Sequence, residues 1–311
     1  MRVLVIGASG AIGRRLVPQL VERGHEVIGT HRSPDNAGRV LSLGARPAVL
    51  DLLDPPAVAR LVGDAGPDVV VHEATALADP KLSRHLDRTL AATSRLRTEG
   101  TDALLAAARA AGVRRFVAQS FANFRYARVG GWVKSEDDPL DDDMPASASQ
   151  AAAAMRHVDE AVTAAGGVAL RYGAFYGNPD DAALEPVRRR LWPIVDGGDG
   201  MTSFVHLDDA AAATVLAIES DVVGVYNVVD DEPAAGRDWL PAMAEVLGAK
   251  PPRHVPRWLA RLVAGEAVAV MGTEARGASN AKAKRELGWV LRHPTWRTGF
   301  AAALSPGLAA A

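Results

Sequence analysis

The sequence contains no cysteine among its 311 residues. Disulfide bonds, thiolate catalysis and zinc centres built on sulfur are therefore excluded. It also lacks an excess of either charge, since 35 basic residues stand against 37 acidic ones and the net charge is −2. A chain with so little net charge gives no reason to expect a nucleic acid or a membrane surface as its partner.

The sequence also lacks any stretch of about 18 consecutive apolar residues, so it predicts no membrane-spanning helix. The chain enters an apolar segment at Arg2, without the basic region and long apolar core of a secretion signal. We therefore expect a cytoplasmic protein. The acidic residues between Glu136 and Asp143 are interrupted by Pro139 and lack the ligand spacing of a cation-binding loop, so we predict a solvated loop and no metal site.

Hydrophobic residues make up 48% of the chain, which is enough for a large core. Strands are predicted at residues 2–6, 26–30, 46–50, 68–73, 113–119 and 168–172. Helices are predicted at residues 14–23, 36–43, 55–62 and 82–111, the last weakened near Gly100. The strands are continuously apolar and alternate with the helices, which is typical of a parallel sheet covered on both faces. The sequence thus predicts an α/β fold of the Rossmann type, with a doubly wound parallel sheet.

The motif GASGAIG connects the first predicted strand to the first predicted helix. In this position the first glycine would allow a tight turn, the second would let backbone N–H groups approach a pyrophosphate, and the third would let the helix pack against the strand. The positive end of the helix dipole would also face the phosphates. We predict a dinucleotide site whose contacts come from Gly7, Ser9, Gly10, Ala11, Ile12 and Gly13.

The second predicted strand ends in Thr30, followed by His31 and Arg32. An NAD-binding domain usually places an acidic residue here to hold the ribose diol. No carboxylate stands at this point, whereas the guanidinium of Arg32 matches a 2′-phosphate and His31 could add a donor. The sequence therefore favours NADP(H) over NAD(H). The alternative is that Arg32 is only a solvated surface side chain.

Other residues follow the carboxyl ends of the predicted strands, where ligands of such sheets bind. The candidates for cofactor contact are Asp51, Leu52, Glu73, Ala74, Thr75, Ser120 and Tyr172. After about residue 174 prolines become frequent and the elements shorten. We therefore interpret residues 1–173 as the cofactor-binding domain and residues 174–311 mainly as a smaller substrate-binding lobe, with residues 203–229 returning to the main sheet.

Six segments carry a recognisable pattern: GASGAIG at 7–13, EGTDALLAAARAAGVRRFV at 99–117, LRYGAFYG at 170–177, SFVHLDDA at 203–210, GVYNVV at 224–229 and SNAKAKRELGW at 279–289. Together they resemble the extended short-chain dehydrogenase/reductase superfamily, also called the NAD-dependent epimerase/dehydratase family. The resemblance implies a Rossmann-type domain, a C-terminal substrate lobe and a nicotinamide cofactor. The resemblance is also compatible with a homodimer, because family members often dimerise through their fourth and fifth helices.

The residues that transfer protons in that family are missing. Its members use a serine or threonine after the fifth strand and a Tyr-x-x-x-Lys pair, but none of the four tyrosines here is followed by lysine four residues later. If Glu160 matches the glutamate that follows the family's lysine, Ala152 replaces the tyrosine and Arg156 the lysine. Arg156 could still bind the cofactor ribose. Phe121 stands at the usual serine position, one residue after Ser120.

Three functions fit these features. The first is an NADPH-dependent reductase of a ketone or an activated alkene, with a small-molecule substrate and a proton from Ser120, Tyr126, water or the substrate itself. The second is an epimerase or dehydratase of a nucleotide-linked sugar, which the missing tyrosine disfavours. The third is a non-catalytic NADP(H) sensor or binding protein. The sequence favours the reductase.

Overall fold

A computed structural model describes residues 1–77, 84–178 and 184–304 of the chain. Its centre is a parallel sheet of seven strands. These strands are β1 (Arg2–Ile6), β2 (Glu26–His31), β3 (Arg46–Val49), β4 (Val69–His72), β5 (Arg115–Phe121), β7 (Val168–Tyr172) and β12 (Gly224–Val228). Their order across the sheet is β12-β7-β5-β4-β1-β2-β3. The predicted doubly wound Rossmann-type sheet is therefore confirmed.

Helices cover both faces of this sheet. One face packs against α1 (Gly13–Glu22), α2 (Ala37–Ser42), α8 (Leu207–Glu219) and α12 (Ala281–Leu287). The opposite face packs against α3 (Pro55–Ala65), α5 (Thr101–Ala110) and α6 (Ser149–Ala164). Alternate residues of one strand enter the two cores, as Val3 and Val5 do on the first face and Leu4 and Ile6 on the second. This double burial explains why the strands are apolar at nearly every position.

A smaller lobe is built mainly from the elements after β7, and its own core contains Phe204, Trp239, Trp296 and Phe300. Its helices are α7 (Glu185–Arg188), α9 (Gly236–Val246), α10 (Arg257–Ala264), α11 (Glu266–Thr273) and α13 (Trp296–Leu304). Two-stranded sheets join β8 (Ala174–Tyr176) to β11 (Phe204–His206), β9 (Ile194–Val195) to β14 (His254–Val255), β10 (Met201–Thr202) to β13 (Ala234–Ala235), and β6 (Val133–Lys134) to β15 (Gly277–Ala278).

The long helical region predicted at 82–111 differs in detail. Its first two residues lie outside the described part of the chain, which shows α4 at Leu86–Arg95, one π-helical turn at Leu96–Gly100, and then α5. Gly100 does not break the helix. A Cβ on Gly100 would lie 2.8 Å from the Cδ2 atom of Leu52, so this glycine allows the helix to pack closely against the loop after β3. Within the described residues, no helix is both long and apolar enough to cross a membrane.

Candidate active site

The glycine motif forms a tight turn between β1 and α1. Gly7 has a φ of +91°, and its N–H donates to the Thr30 hydroxyl at 3.1 Å, which ties the turn to the end of β2. A Cβ on Gly13 would lie 2.5 Å from the carbonyl oxygens of Gly7 and Ala8. Both positions therefore require glycine, because a side chain would be strained at the first and would collide with backbone at the second.

The turn leaves backbone donors at the start of α1. The Gly10 N–H donates to the Gly7 carbonyl at 2.9 Å. The next N–H along the chain that donates to a carbonyl is that of Arg14, and its acceptor is Gly10. The N–H groups of residues 11–13 donate no hydrogen bond within the described part of the chain. Gly10 and Ala11 are exposed, Ser9 is half-buried, and the side chain of Ile12 is buried. Free N–H groups at a helix N-terminus form a cradle for a phosphate anion.

The end of β2 separates the two residues that we expected at a 2′-phosphate. Arg32 is exposed and forms no ion pair within the described residues, so its guanidinium is available to an anion. His31 is buried, and its Nδ1 lies 2.7 Å from the carbonyl oxygen of Ser33. The Nδ1 atom thus stabilises the local turn, and a contact from His31 to the 2′-phosphate stays a prediction.

The loops after β3 and β4 contribute mostly backbone. Asp51 is exposed, and its carboxylate accepts the Leu53 N–H at 3.0 Å, whereas the side chain of Leu52 is buried in the core. Ala74 and Thr75 are half-buried beside the glycine turn, since a Cβ on Gly7 would lie 3.0 Å from the Ala74 nitrogen. Asp51, Ala74 and Thr75 therefore remain candidates for cofactor contact, and Leu52 could contribute only its backbone.

Glu73 and Tyr172 lie inside the protein instead of in the cofactor crevice. The Tyr172 hydroxyl donates to Glu73 Oε1 at 2.9 Å and lies 2.6 Å from the hydroxyl of Thr214 on α8. Burial raises the pKa of Glu73 to about 8, despite the opposing hydrogen bond from Tyr172. The two side chains thus bond to each other, and cofactor contact by Glu73 and Tyr172 stays a prediction.

Ser120 and Tyr126 are also buried, so neither reaches a substrate in this structure. The Ser120 hydroxyl accepts from Arg125 Nη1 at 3.0 Å. The Tyr126 hydroxyl donates to Asn227 Oδ1 at 2.7 Å and accepts from Arg171 Nη1 at 3.0 Å. In this structure both hydroxyls are held by a buried polar network, and the role of either one as proton donor stays a prediction.

That network centres on Asp159 of α6. Its carboxylate accepts from Arg171 Nε at 2.9 Å and also from Arg125. The buried guanidinium of Arg97 lies nearby, and both burial and the positive charge of Arg125 lower its pKa to about 10. We did not identify this cluster from the sequence. A signal was present, since Asp159 lies on the buried stripe of an amphipathic helix, where a carboxylate requires a partner.

The fully buried, inward face of α6 lies beside Ala152 and Arg156, which are half-buried. The Nη2 atom of Arg156 lies 2.6 Å from Asp142 Oδ1. The buried positions four residues apart are Ala151, Met155 and Asp159. In this structure the Arg156 guanidinium pairs with Asp142, and its binding to the cofactor ribose stays a prediction. The inward face has no tyrosine or lysine either.

A large cavity of about 1210 Å³ lies between the end of β5 and the smaller lobe. Its aromatic lining is Phe121, Phe124, Phe175, Trp192, Phe204 and Trp239. Phe121 thus faces the cavity at the position where the family carries its serine. Among the described residues, the lining includes no tyrosine, lysine or carboxylate. It does include three arginines and His85, and none of these four residues was predicted from the sequence. The cavity is large enough for a small-molecule substrate.

One group of side chains could hold a cation. Ligand atoms of His206, Asp208 and His293 lie within 4.8 Å of one another. However, His206 Nδ1 accepts the Asp208 N–H at 3.1 Å as the cap of α8, and the two imidazole rings stack at 3.8 Å. Burial, followed by the neighbouring His293, lowers the pKa of His206 to about 4. The cluster is therefore explained by helix capping and ring packing.

Comparison with known proteins identifies a family and several relatives. The model of the NAD dependent epimerase/dehydratase family matches residues 3–229. A 3-diazoavenalumate denitrifying reductase from a Streptomyces species is 44% identical over 310 residues, which cover 96% of this chain and 99% of the relative. A 4-hydroxy-2-methyl-3-oxo-4-farnesyl-3,4-dihydroquinoline-1-oxide ketoreductase from Stigmatella aurantiaca is 32% identical, over 80% of this chain and 74% of that protein.

Solved structures share the fold at low sequence identity. The UDP-glucose 4-epimerase of Thermotoga maritima, solved with UDP-glucose, superposes with a TM-score of 0.78 at 21% identity, over 98% of this chain and 97% of that one. The UDP-glucose 4-epimerase of Thermus thermophilus, solved with NAD, has a TM-score of 0.71 at 24% identity, over 98% of both chains. At this identity the likeness describes the architecture of the chain and leaves its chemistry open.

Proposed function

The chain belongs to the NAD-dependent epimerase/dehydratase family, and on that premise we propose that it is an NADPH-dependent reductase whose substrate binds in the cavity beside Phe121. The observation that carries the proposal is a pairing of two features. The glycine turn leaves N–H groups open to a dinucleotide, whereas the cavity lining, within the described residues, lacks the tyrosine and lysine of the family. An epimerase needs a base to oxidise its sugar. The two features together therefore favour a reductase, which transfers hydride to its substrate without taking it back.

The residues around the glycine turn fit a phosphorylated dinucleotide. The N–H groups of residues 11–13 and the dipole of α1 would hold the pyrophosphate. Arg32, exposed and without an ion pair in the described chain, would bind the 2′-phosphate. When bound, the cofactor would supply a hydride at the cavity. The protein's part is then to orient the substrate and exclude water.

The lack of a tyrosine–lysine pair bears on the kind of substrate. Hydride addition to a ketone leaves an alkoxide, which must take a proton from water or from a side chain such as His85. In hydride transfer to an arenediazonium, the carbon–nitrogen bond breaks, dinitrogen leaves and a carbon–hydrogen bond forms, so no proton is consumed. A reductase with a 3-diazo substrate in its name is 44% identical to this chain. We therefore place an aromatic diazo compound first and a ketone second.

Cofactor choice is tested by titrating the protein with NADPH and NADH. We expect a preference for NADPH that falls at least tenfold in Arg32→Asp, because a carboxylate would repel the 2′-phosphate. The control is Arg60→Asp, which makes the same charge change at an exposed position on α3. Equal affinity for the two cofactors, or a preference that survives Arg32→Asp, would overturn the assignment.

Turnover is tested by following NADPH oxidation and dinitrogen release with an arenediazonium, against a reaction without protein. The same assay of NADPH oxidation is then repeated with aromatic ketones. We expect His85→Asn to leave the diazonium rate unchanged and to slow any ketone reduction, since only the ketone needs a proton. Tight NADPH binding without turnover of either class would favour the non-catalytic sensor instead.

A further inference from the structure

The cavity wall combines an apolar surface with arginines that no carboxylate of the described residues pairs with. Trp192 and Trp239 meet edge to face with ring centroids 5.5 Å apart, and Phe204 meets Trp239 at 5.2 Å. These rings line the cavity together with apolar residues of α10 and α11. Such a wall suits a flat, apolar ligand, because aromatic pairs favour edge-to-face and offset contacts.

The charged part of the wall is entirely basic among the described residues. Arg84, Arg190 and Arg253 line the cavity, and no aspartate or glutamate does. None of the three forms an ion pair within the described chain, although nearby Arg189 pairs with Glu185 at 2.5 Å and Arg237 pairs with Asp199. A guanidinium in an apolar wall without a carboxylate partner is suited to an anion brought by the ligand.

Two of these arginines share one side of the cavity. Arg190 is half-buried, and its Nε donates to the carbonyl oxygen of Pro251 at 2.7 Å, so its guanidinium is held beside the segment that leads to Arg253. The Arg253 carbonyl in turn accepts the N–H of Ile194 at 2.8 Å, next to Trp192. Arg190 and the backbone of Arg253 therefore lie close to Trp192 along the cavity that all three residues line.

We infer that the substrate of the proposed reductase is an aromatic carboxylate, whose ring system packs against Trp192 and Trp239 and whose carboxylate is bound by Arg190 and Arg253. This inference rests on the proposed function for the reaction, but it concerns binding alone. It adds a specificity determinant on the smaller lobe, separate from the glycine turn that would hold the cofactor. A sugar nucleotide fits this wall less well, because the rings around the arginines offer few partners for hydroxyl groups.

The test compares trans-cinnamate with trans-cinnamamide, which has nearly the same shape and no charge. Binding to the full chain in the presence of NADP⁺ is followed by calorimetry and by quenching of tryptophan fluorescence. We expect cinnamate to bind about tenfold more tightly, with an affinity that falls as salt is added. Arg190→Gln and Arg253→Gln should each remove most of that difference and leave cinnamamide binding unchanged, which also shows that the cavity is intact.

The matched control is Arg189→Gln, which removes a neighbouring exposed arginine that does not line the cavity. It should bind cinnamate as the unmodified chain does. Equal binding of the acid and the amide, full cinnamate affinity in both cavity variants, or tighter binding of UDP than of cinnamate would overturn the inference. Because none of these measurements needs turnover, a failure here is distinguishable from a failure of the proposed reductase activity.

Discussion

Gly13 is the residue on which the glycine turn depends most directly. A Cβ there would lie 2.5 Å from two carbonyl oxygens, and backbone cannot move aside as a flexible side chain can. We expect Gly13→Ala to lower the free energy of unfolding by about 1–3 kcal/mol and to weaken NADPH binding, because overpacking distorts the turn. Chemical denaturation and cofactor titration measure the two effects.

Gly63 provides the matched control for that substitution. It lies exposed within α3, and a Cβ there would meet nothing within 4 Å. Gly63→Ala should therefore raise the free energy of unfolding by about 0.5–1 kcal/mol, since alanine loses less backbone entropy in a helix. If both alanine variants behaved alike, the requirement for glycine at position 13 would be refuted.

Glu73 makes stability depend on pH in an unusual direction. Its pKa is about 8 in the folded chain against an ordinary 4.5, so the folded state keeps a proton that the unfolded state releases between these values. The free energy of unfolding should therefore fall as the pH rises from about 5 to 8. Glu73→Gln, which stays neutral and can still accept from Tyr172, should be more stable than the unmodified chain at pH 8.

The measurement is a series of denaturation curves from pH 5 to 8 for both proteins. Their difference isolates Glu73, because Asp230, whose pKa burial also raises to about 8, contributes equally to each. A constant difference across this range would mean that Glu73 is ionised in the folded chain.

At the scale of the element, α6 is held in place by charge as well as by apolar packing. Asp159 is the acceptor for Arg125 and Arg171, and thereby joins α6 to the loop after β5 and to β7. We expect Asp159→Asn to lower the free energy of unfolding by about 3–5 kcal/mol, because buried guanidinium groups would lose their counterion. Thermal or chemical denaturation measures this loss.

Asp142→Asn is the comparison for that variant, since Asp142 pairs with Arg156 of the same helix at the surface. An exposed pair contributes at most about 1 kcal/mol. A similar small effect in Asp159→Asn would show that the buried network contributes little to stability, and that apolar packing of α6 is sufficient.

At the scale of the whole molecule, the main sheet needs residues that come late in the chain. Strand β12 pairs with β7, and α8 supplies much of the core on one face of the sheet. We therefore expect a fragment of residues 1–173 to lack a cooperative thermal transition and to bind a hydrophobic dye, because the apolar face of β7 would be exposed. Near-ultraviolet circular dichroism of the fragment and of the full chain tests this.

A fragment with a sharp transition and native-like dichroism would instead support residues 1–173 as an independent domain. The division at residue 173 remains a prediction. The cavity is likewise a property of the whole molecule, since its walls come from the end of β5 and from residues of the smaller lobe between Ala174 and Ala275.

Local pattern was enough to predict the sheet, the glycine turn and the loss of the family's proton donors. These features depend on residues close together in sequence: an apolar run forms a strand, and glycine allows a turn that other residues cannot adopt. Strands β1 and β7 were predicted to the residue, and the ends of the other predicted strands differ by at most two residues.

The direction of individual side chains was decided only by tertiary packing. Whether Ser120, Tyr126, Glu73 and Tyr172 face the crevice or the core depends on partners such as Arg125, Asn227 and Thr214, which lie up to about 100 residues away in sequence. Likewise, the sequence could not reveal that arginines and tryptophans of distant segments share one cavity. Burial and hydrogen bonding act between neighbours in space, and sequence spacing does not encode that proximity.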